Sequence, residues 1–310
     1  MPYKEEITKN IKEKAISLGF NSCGIVPANT DSEHLNIFIN WLKKSYNANL
    51  KYLENNVEIR ANPKLLVENA KSVVVLLSSY NRQNSSISYN SIARYALSKD
   101  YHIVLKRKMY ELLNYLKKNW DINGRCFVDS APILERSYAY NAGLGFIGKN
   151  TCLINENLGS WVFISTLIVD KELCFDKQVK ISNNSCISCN KCVEACPTGA
   201  LKPYEIDCNL CISYHTIENR NIMPDNVKSK ITNQFFGCDI CQIVCPYNKN
   251  IKADVTTDLQ EINLLKQLDI STFENMTNSM FKKEFKDTSL YRTGLKKLKE
   301  NANNLKSKKT

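Results

Sequence analysis

The stretch "CISCNKCVEACP", residues 186–197, sets four cysteines at C-x2-C-x2-C-x3-C-P spacing. This is the run of bacterial two-cluster ferredoxins, whose fourth cysteine ligates the other cluster. Two-residue turns let Cys186, Cys189 and Cys192 converge on one cubane, while Cys196 points to a second. Downstream, "CDICQIVCPYN" (238–248) repeats the pattern with its leading cysteine missing. By the same rule the first cluster takes Cys186, Cys189, Cys192 and the trailing Cys245. The second takes Cys238, Cys241 and the trailing Cys196, one thiolate short of four. Cys208 and Cys211, in "IDCNLCISYHTIE", are the cysteines between the two motifs, so one of them supplies the missing ligand. Spacing leaves both open.

The rest of the composition limits the setting of these clusters. The chain has 310 residues, long enough for two or three domains, with 43% hydrophobic and 24% charged residues, as in folded globular proteins. No leader of signal-peptide type and no long apolar run is present, so a cytoplasmic protein without a membrane partner is expected. Thirteen cysteines in a reducing compartment call for metal rather than disulfides. Cys23, Cys126, Cys152 and Cys174, outside the cluster motifs, read as buried core thiols. A net charge of +11 suggests a polyanionic partner.

Patterning around the motifs predicts an α+β or α/β domain to about residue 175. Ile7, Ile11 and Ile16 mark an amphipathic helix over 3–20. "SVVVLLSSY" (72–80) and "SWVFISTLIVD" (160–170) read as buried strands, and "GRCFVDSAP" as a strand ending in a turn at Pro132. Leu105, Leu112 and Leu116 give a helix capped by Ser98 or Asp100. The segment to about 250 is rich in cysteine and proline, and the remainder is polar and helix-like. Its last fifteen residues hold six lysines and one glutamate and read as a solvated, frayed tail.

"GLGFIG" (143–148) matches G-x-G-x-x-G, but a dinucleotide site needs a strand before it and a helix after it. Here "APILERSYAYNA" ahead of it looks helical and "KNTCLI" behind it looks extended, so the glycines read as a helix C-cap and a tight loop. Asp129 of "VDSAPILER" stands at a strand end. It either caps the helix after Pro132 or projects into a cleft.

Taken together, "VDSAPILERSYAYNAGLGFIGKNTCLI", "CISCNKCVEACPTGAL", "CISYHTIE" and "GCDICQIVCPYN", with "SIARYALSKDYHIVLKRKM" upstream, resemble the epoxyqueuosine reductase family over about residues 20–250. The resemblance implies an α+β fold: a nitroreductase-like cobalamin-binding domain (1–175), a ferredoxin-like module with two [4Fe–4S] clusters (176–250) and a short helical C-terminal segment (251–310). It implies the cobalamin-dependent reduction of epoxyqueuosine to queuosine in the anticodon loop of tRNA, with the clusters feeding a low-valent cobalt. It makes Asp129 the proton donor and Cys211 rather than Cys208 the eighth cluster ligand. Ser213 and Gln242 would line the corrinoid, with Arg60 and Tyr95 as further contacts.

The partners expected on this basis are tRNA and a low-potential electron donor, with the protein acting as a monomer. Tyr204, Tyr214, His215 and Tyr247 are candidates for stacking on unpaired bases. Many family members carry further helical repeats at the C-terminus; either this is a naturally short form or the lysine-rich tail replaces part of that surface. The rival readings are a corrinoid reductive dehalogenase, which usually bears an export signal, and an electron-transfer protein without catalysis.

Overall fold

The apolar run at 72–79 lies at the centre of the architecture. The computed structural model describes residues 2–29, 32–81, 91–178, 186–249, 251 and 257–307. Strands β1 (Ser22–Pro27), β2 (Ser72–Ser79), β3 (Gly124–Phe127) and, after a small hairpin of β4 (Phe146–Ile147) and β5 (Leu153–Ile154), β6 (Val162–Val169) are its N-terminal strands. Four of them form one sheet in the order β1-β2-β6-β3, with every pairing antiparallel. All eight residues of β2 are buried. A strand covered on both faces reads as a continuous apolar run instead of alternating, which is why its sequence announced it.

Helices α1 (Pro2–Ser17), α2 (Ser32–Lys43), α3 (Val57–Ala61), α4 (Tyr101–Trp120) and α5 (Glu135–Asn141) accompany the sheet. Val74 and Leu76 share one apolar cluster with Ile7, Ile11 and Ala15 of α1 and Leu105, Met109, Leu112 and Leu116 of α4. Val73, Val75 and Leu77, on the opposite face, pack with Tyr138 and Ala139 of α5. The α1 face differs in one position from the periodicity reading: Ile16 is 52% exposed and Ala15 is buried. Positions 7, 11 and 15 are each four apart and stay in line on a helix, whereas 16 rotates off. At the start of α4 the cap is Asp100, whose carboxylate accepts the His102 N–H.

Beyond the sheet come α6 (Lys191–Glu194), the hairpin β7 (Leu201–Lys202) and β8 (Glu205–Ile206), α7 (Ile212–Ile217), α8 (Asp225–Lys228) and α9 (Ile240–Ile243). Helices α10 (Asn263–Lys266), α11 (Asn278–Phe285), α12 (Ser289–Thr293) and α13 (Leu295–Lys306) follow. Ile212, Phe235 and Phe236 share a core with Phe273, Phe285 and Leu298, and Ile92 and Ala96 enter the same core from the N-terminal part.

The lysine-rich end is therefore not a frayed tail up to residue 307. Leu295, Leu298, Ala302 and Leu305 of α13 are buried, and Asn301 donates to the carbonyls of Thr216 (2.8 Å) and Phe235 (2.9 Å). Lysine count hid an apolar stripe at helical spacing. Lys308 and Lys309 lie outside the described residues. Among the described residues no helix is long and apolar enough to cross a membrane.

Candidate active site

The cysteines gather as two sets. Cys186, Cys189, Cys192 and Cys245 line one cavity, together with Lys149, Asn150 and Tyr247. In the other set, Cys238 is close enough to feel the charge of Cys211 and Cys196, and Cys241 that of Cys238 and Cys211. Burial first, and then these neighbouring thiols, push Cys238 up to about 12. Cys208 feels Cys211 but not Cys196, Cys238 or Cys241, and its N–H is held by the Tyr46 carbonyl at 2.8 Å. Cys211 thus stands with the second set and Cys208 beside it.

Both sets suit an iron–sulfur cubane. Every described cysteine is a free thiol, so none is committed to a disulfide. Backbone donors already face the sulfurs: Lys149 N–H lies 3.4 Å from Cys186 Sγ, and the N–H groups of Ser213 and Tyr214 face Cys211. Such donors stabilise thiolates that a cluster holds deprotonated. Among the described residues no three His, Cys, Asp or Glu side chains converge on a single ion. A cubane gives each thiolate its own iron and holds the four sulfurs around a body, not a point.

Cys152, which sequence placed in the core, is near members of both sets: it feels the charge of Cys245 and Cys192, and Cys241 feels that of Cys152. The N-terminal and cluster-bearing parts are bolted together at the same place. Gln242 Nε2 donates to the carbonyl and hydroxyl of Ser160, each at 3.0 Å, and Asn248 Nδ2 donates to the Ser160 hydroxyl at 2.8 Å. Asp239, next to Cys238, accepts the Arg94 N–H at 2.7 Å.

Asp129 belongs to a group of interacting carboxylates and phenols that reaches toward the second set through Tyr95, which feels both Asp129 and Asp239. Asp129 does not cap a helix: α5 begins six residues later, after Leu134, with no side-chain cap. Its backbone is left-handed (φ 50°) and its side chain is exposed. A non-glycine residue in that region is strained and commonly marks a functional site. The Tyr101 hydroxyl donates to Asp129 Oδ2 at 2.6 Å, and Asp129 N–H donates to Glu135 Oε1 at 3.0 Å. Tyr101 stacks on Phe163 at 4.2 Å, which fixes the phenol. Burial, aided by Asp129, raises the Glu135 carboxyl above the ordinary carboxylate range.

Tyr95 packs against Tyr101 and Phe236 and feels Asp129, Asp239 and Glu218, so it links the carboxylate group to the second thiol set. Burial first, then these carboxylates, raise its phenol well above its ordinary value and keep it a hydrogen-bond donor. Arg60 is buried over the Phe38 ring, donates through Nη2 to the Tyr52 carbonyl and keeps an unpartnered buried Nε. Tyr52 feels Glu218, Asp129 and Arg60, and burial pushes its phenol up to about 12. A polar rim with an orphaned donor and aromatic walls suits a macrocycle edged with amides, such as a corrinoid.

Of the residues singled out from sequence, Tyr95 feels the Asp129 carboxylate directly, and Arg60 is linked to it through Tyr52. Ser213 follows Cys211 in α7, half-buried. Gln242 is engaged with Ser160 and Tyr80 in the bolt between the two parts. Tyr52, Tyr101, Glu135 and Glu218 escaped the sequence reading. Tyr101 and Glu135 stood inside quoted motifs, but nothing in the spacing says that a residue at 101 reaches one at 129. Tyr214 and His215 are buried, and Tyr214 OH accepts the Asn49 N–H at 3.2 Å, so packing accounts for both.

Residues 185–248 match the family described as "4Fe-4S double cluster binding domain". With the thiol sets near a group of acids, this defines an iron–sulfur oxidoreductase of the two-cubane class. Residues 60–130 match the family described as "Epoxyqueuosine reductase QueG, DUF1730". An epoxyqueuosine reductase from Cyclobacterium marinum is 43% identical over 93% of this chain and 93% of its own length. The chain belongs to the epoxyqueuosine reductase family.

Among solved structures, an epoxyqueuosine reductase crystallised with an epoxyqueuosine-modified tRNA-Tyr stem loop superimposes with a TM-score of 0.90 at 29% identity, over 97% of this chain and 80% of that one. The Bacillus subtilis reductase (TM-score 0.89, 28% identity, 97% of this chain and 81% of that one) shows an aspartate-bearing catalytic loop swung out of its active site. A catabolic reductive dehalogenase shares the fold alone, at a TM-score of 0.52 and 14% identity over 86% of this chain and 35% of that one.

Proposed function

We propose that this chain reduces epoxyqueuosine to queuosine in the anticodon loop of tRNA, removing the epoxide oxygen as water with two electrons and two protons. The observation that carries this is that two thiol sets and an Asp129 held by Tyr101 occur together in a chain 43% identical to a named reductase. Arg60 and Tyr95 would help hold cobalamin, which would supply a strongly reducing metal centre, and the cysteine sets would hold the clusters that feed it.

The chain's own residues do the rest. Asp129 protonates the departing oxygen as general acid, and Tyr101 holds its carboxyl in place through the 2.6 Å hydrogen bond. Glu135, raised toward neutrality, keeps a proton beside the Asp129 loop. Cys186, Cys189, Cys192 and Cys245 hold one cubane, and Cys196, Cys211, Cys238 and Cys241 the other. In this reading 1–175 is the nitroreductase-like cofactor domain, 176–250 the cluster module and 251–310 a helical cover. The protein works as a monomer supplied by a low-potential one-electron donor, and the net charge of +11 serves the tRNA backbone.

The deciding experiment is anaerobic reconstitution with iron, sulfide and cobalamin, followed by a low-potential reductant and epoxyqueuosine-containing tRNA. Queuosine detected by nucleoside mass only when cobalamin is present is the expected result. No product from a preparation with both clusters and cobalamin spectroscopically intact would remove the substrate assignment.

A further inference from the structure

The turn between β4 and β5, "GKNTC" (148–152), belongs to the N-terminal part in sequence but is fastened to the first thiol set. Lys149 N–H faces Cys186 Sγ at 3.4 Å, and its carbonyl accepts the Tyr204 N–H at 3.1 Å. Its ammonium donates to the Ile187 carbonyl and to Asn190 Oδ1, each at 2.8 Å. These four contacts fix the position of the next residue, Asn150.

Asn150 is 3% exposed and lines the cavity formed by Cys186, Cys189, Cys192 and Cys245. Its Oδ1 accepts the Cys152 N–H at 3.2 Å, which settles which end of the amide is oxygen. Its Nδ2 is buried and has no partner among the described residues. A buried amide donor left unpaired is costly, so a partner is expected. Gly148 keeps this arrangement possible, because a Cβ there would fall 2.8 Å from Asn150 Oδ1 and 2.4 Å from Ile154 Cδ1.

We propose that Asn150 is a positioning residue for the first cubane, its Nδ2–H donating to a sulfur of the cluster held by Cys186, Cys189, Cys192 and Cys245. This rests on the reading that a [4Fe–4S] cluster occupies that set. On reduction the cluster gains one electron from the external one-electron donor, and its sulfurs become more negative. A donor hydrogen bond is stronger to the reduced form, so it raises the reduction potential. Asn150 therefore sets the potential of this cluster above the value it would have without the donor.

The test is redox titration of the loaded protein by EPR, with wild type and Asn150→Leu, a neutral change of similar volume that removes the donor. The expected result is unchanged iron content, a midpoint for the Cys186 set shifted to more negative potential, and an unmoved midpoint for the other cluster. Full iron with both midpoints unmoved would overturn the proposal. If Asn150→Leu loses iron, wild type carrying asparagine labelled with 15N only in the side-chain amide decides. Pulsed EPR should then show a 15N coupling to the reduced first cluster that persists in Asn190→Asp, and its absence overturns the proposal. Wild type with no cluster at the Cys186 set would instead remove the underlying cluster reading.

Discussion

At the scale of single residues, Asp129 is held by Tyr101 and Glu135 rather than by its own helix, and this makes its role separable. Asp129→Asn keeps an acceptor for Tyr101 but has no acidic proton. We expect full iron and cobalamin content and turnover reduced by about 100-fold or more, the usual contribution of a general acid. Turnover within a few-fold of wild type would assign the proton elsewhere. Cys211→Ser should remove one cluster's iron while Cys208→Ser keeps both, and equal losses would undo the grouping. Glu135 offers a pH test. Its folded value lies above its unfolded one, so the native chain binds more protons in that interval and stability falls as pH rises through it. Denaturation midpoints at mildly acidic and mildly alkaline pH should show this fall, and Glu135→Gln should flatten it. Sequence exposed the cysteines and Asp129 because their spacing or neighbouring motif carries the information. Tyr101 and Tyr52 meet Asp129 only through chain folding across the sheet, and no local pattern encodes that.

At the scale of elements, the buried strands were legible because a doubly covered strand is apolar without interruption, and the amphipathic helices because their faces repeat. Helix α13 was not, since six lysines in fifteen residues masked its stripe. The packing predicts a sharp contrast along one turn. Leu298→Ala, at a fully buried site, should cost about 2–5 kcal/mol in denaturant unfolding. Lys296→Ala, at an exposed site two residues earlier, should stay within about 0.5 kcal/mol of wild type. Equal effects would mean that α13 does not dock. The contact of Asn301 with Thr216 and Phe235 ties this helix to the segment between Cys211 and Cys238, so deleting residues 296–310 would damage the core as well as remove charge.

At the scale of the whole molecule, the excess of 11 positive charges is expected to act through phosphate contacts. Neutralising one exposed lysine that touches tRNA should make the log–log salt dependence of Kd shallower by about 0.9, while leaving turnover at saturating substrate intact. Lys296→Gln is the variant to measure, and an unchanged slope would place α13 away from the nucleic acid. The exchange of trailing cysteines has a different kind of consequence, one of timing. Cys245 completes the set begun at Cys186, and Cys196 waits for partners that begin at Cys211. A ribosome that has released the chain through Cys196 has offered neither cubane its four thiols. Both sites close only once Cys241 and Cys245 have been made, so metal loading must come nearly at once for the two, after the N-terminal sheet has been synthesised.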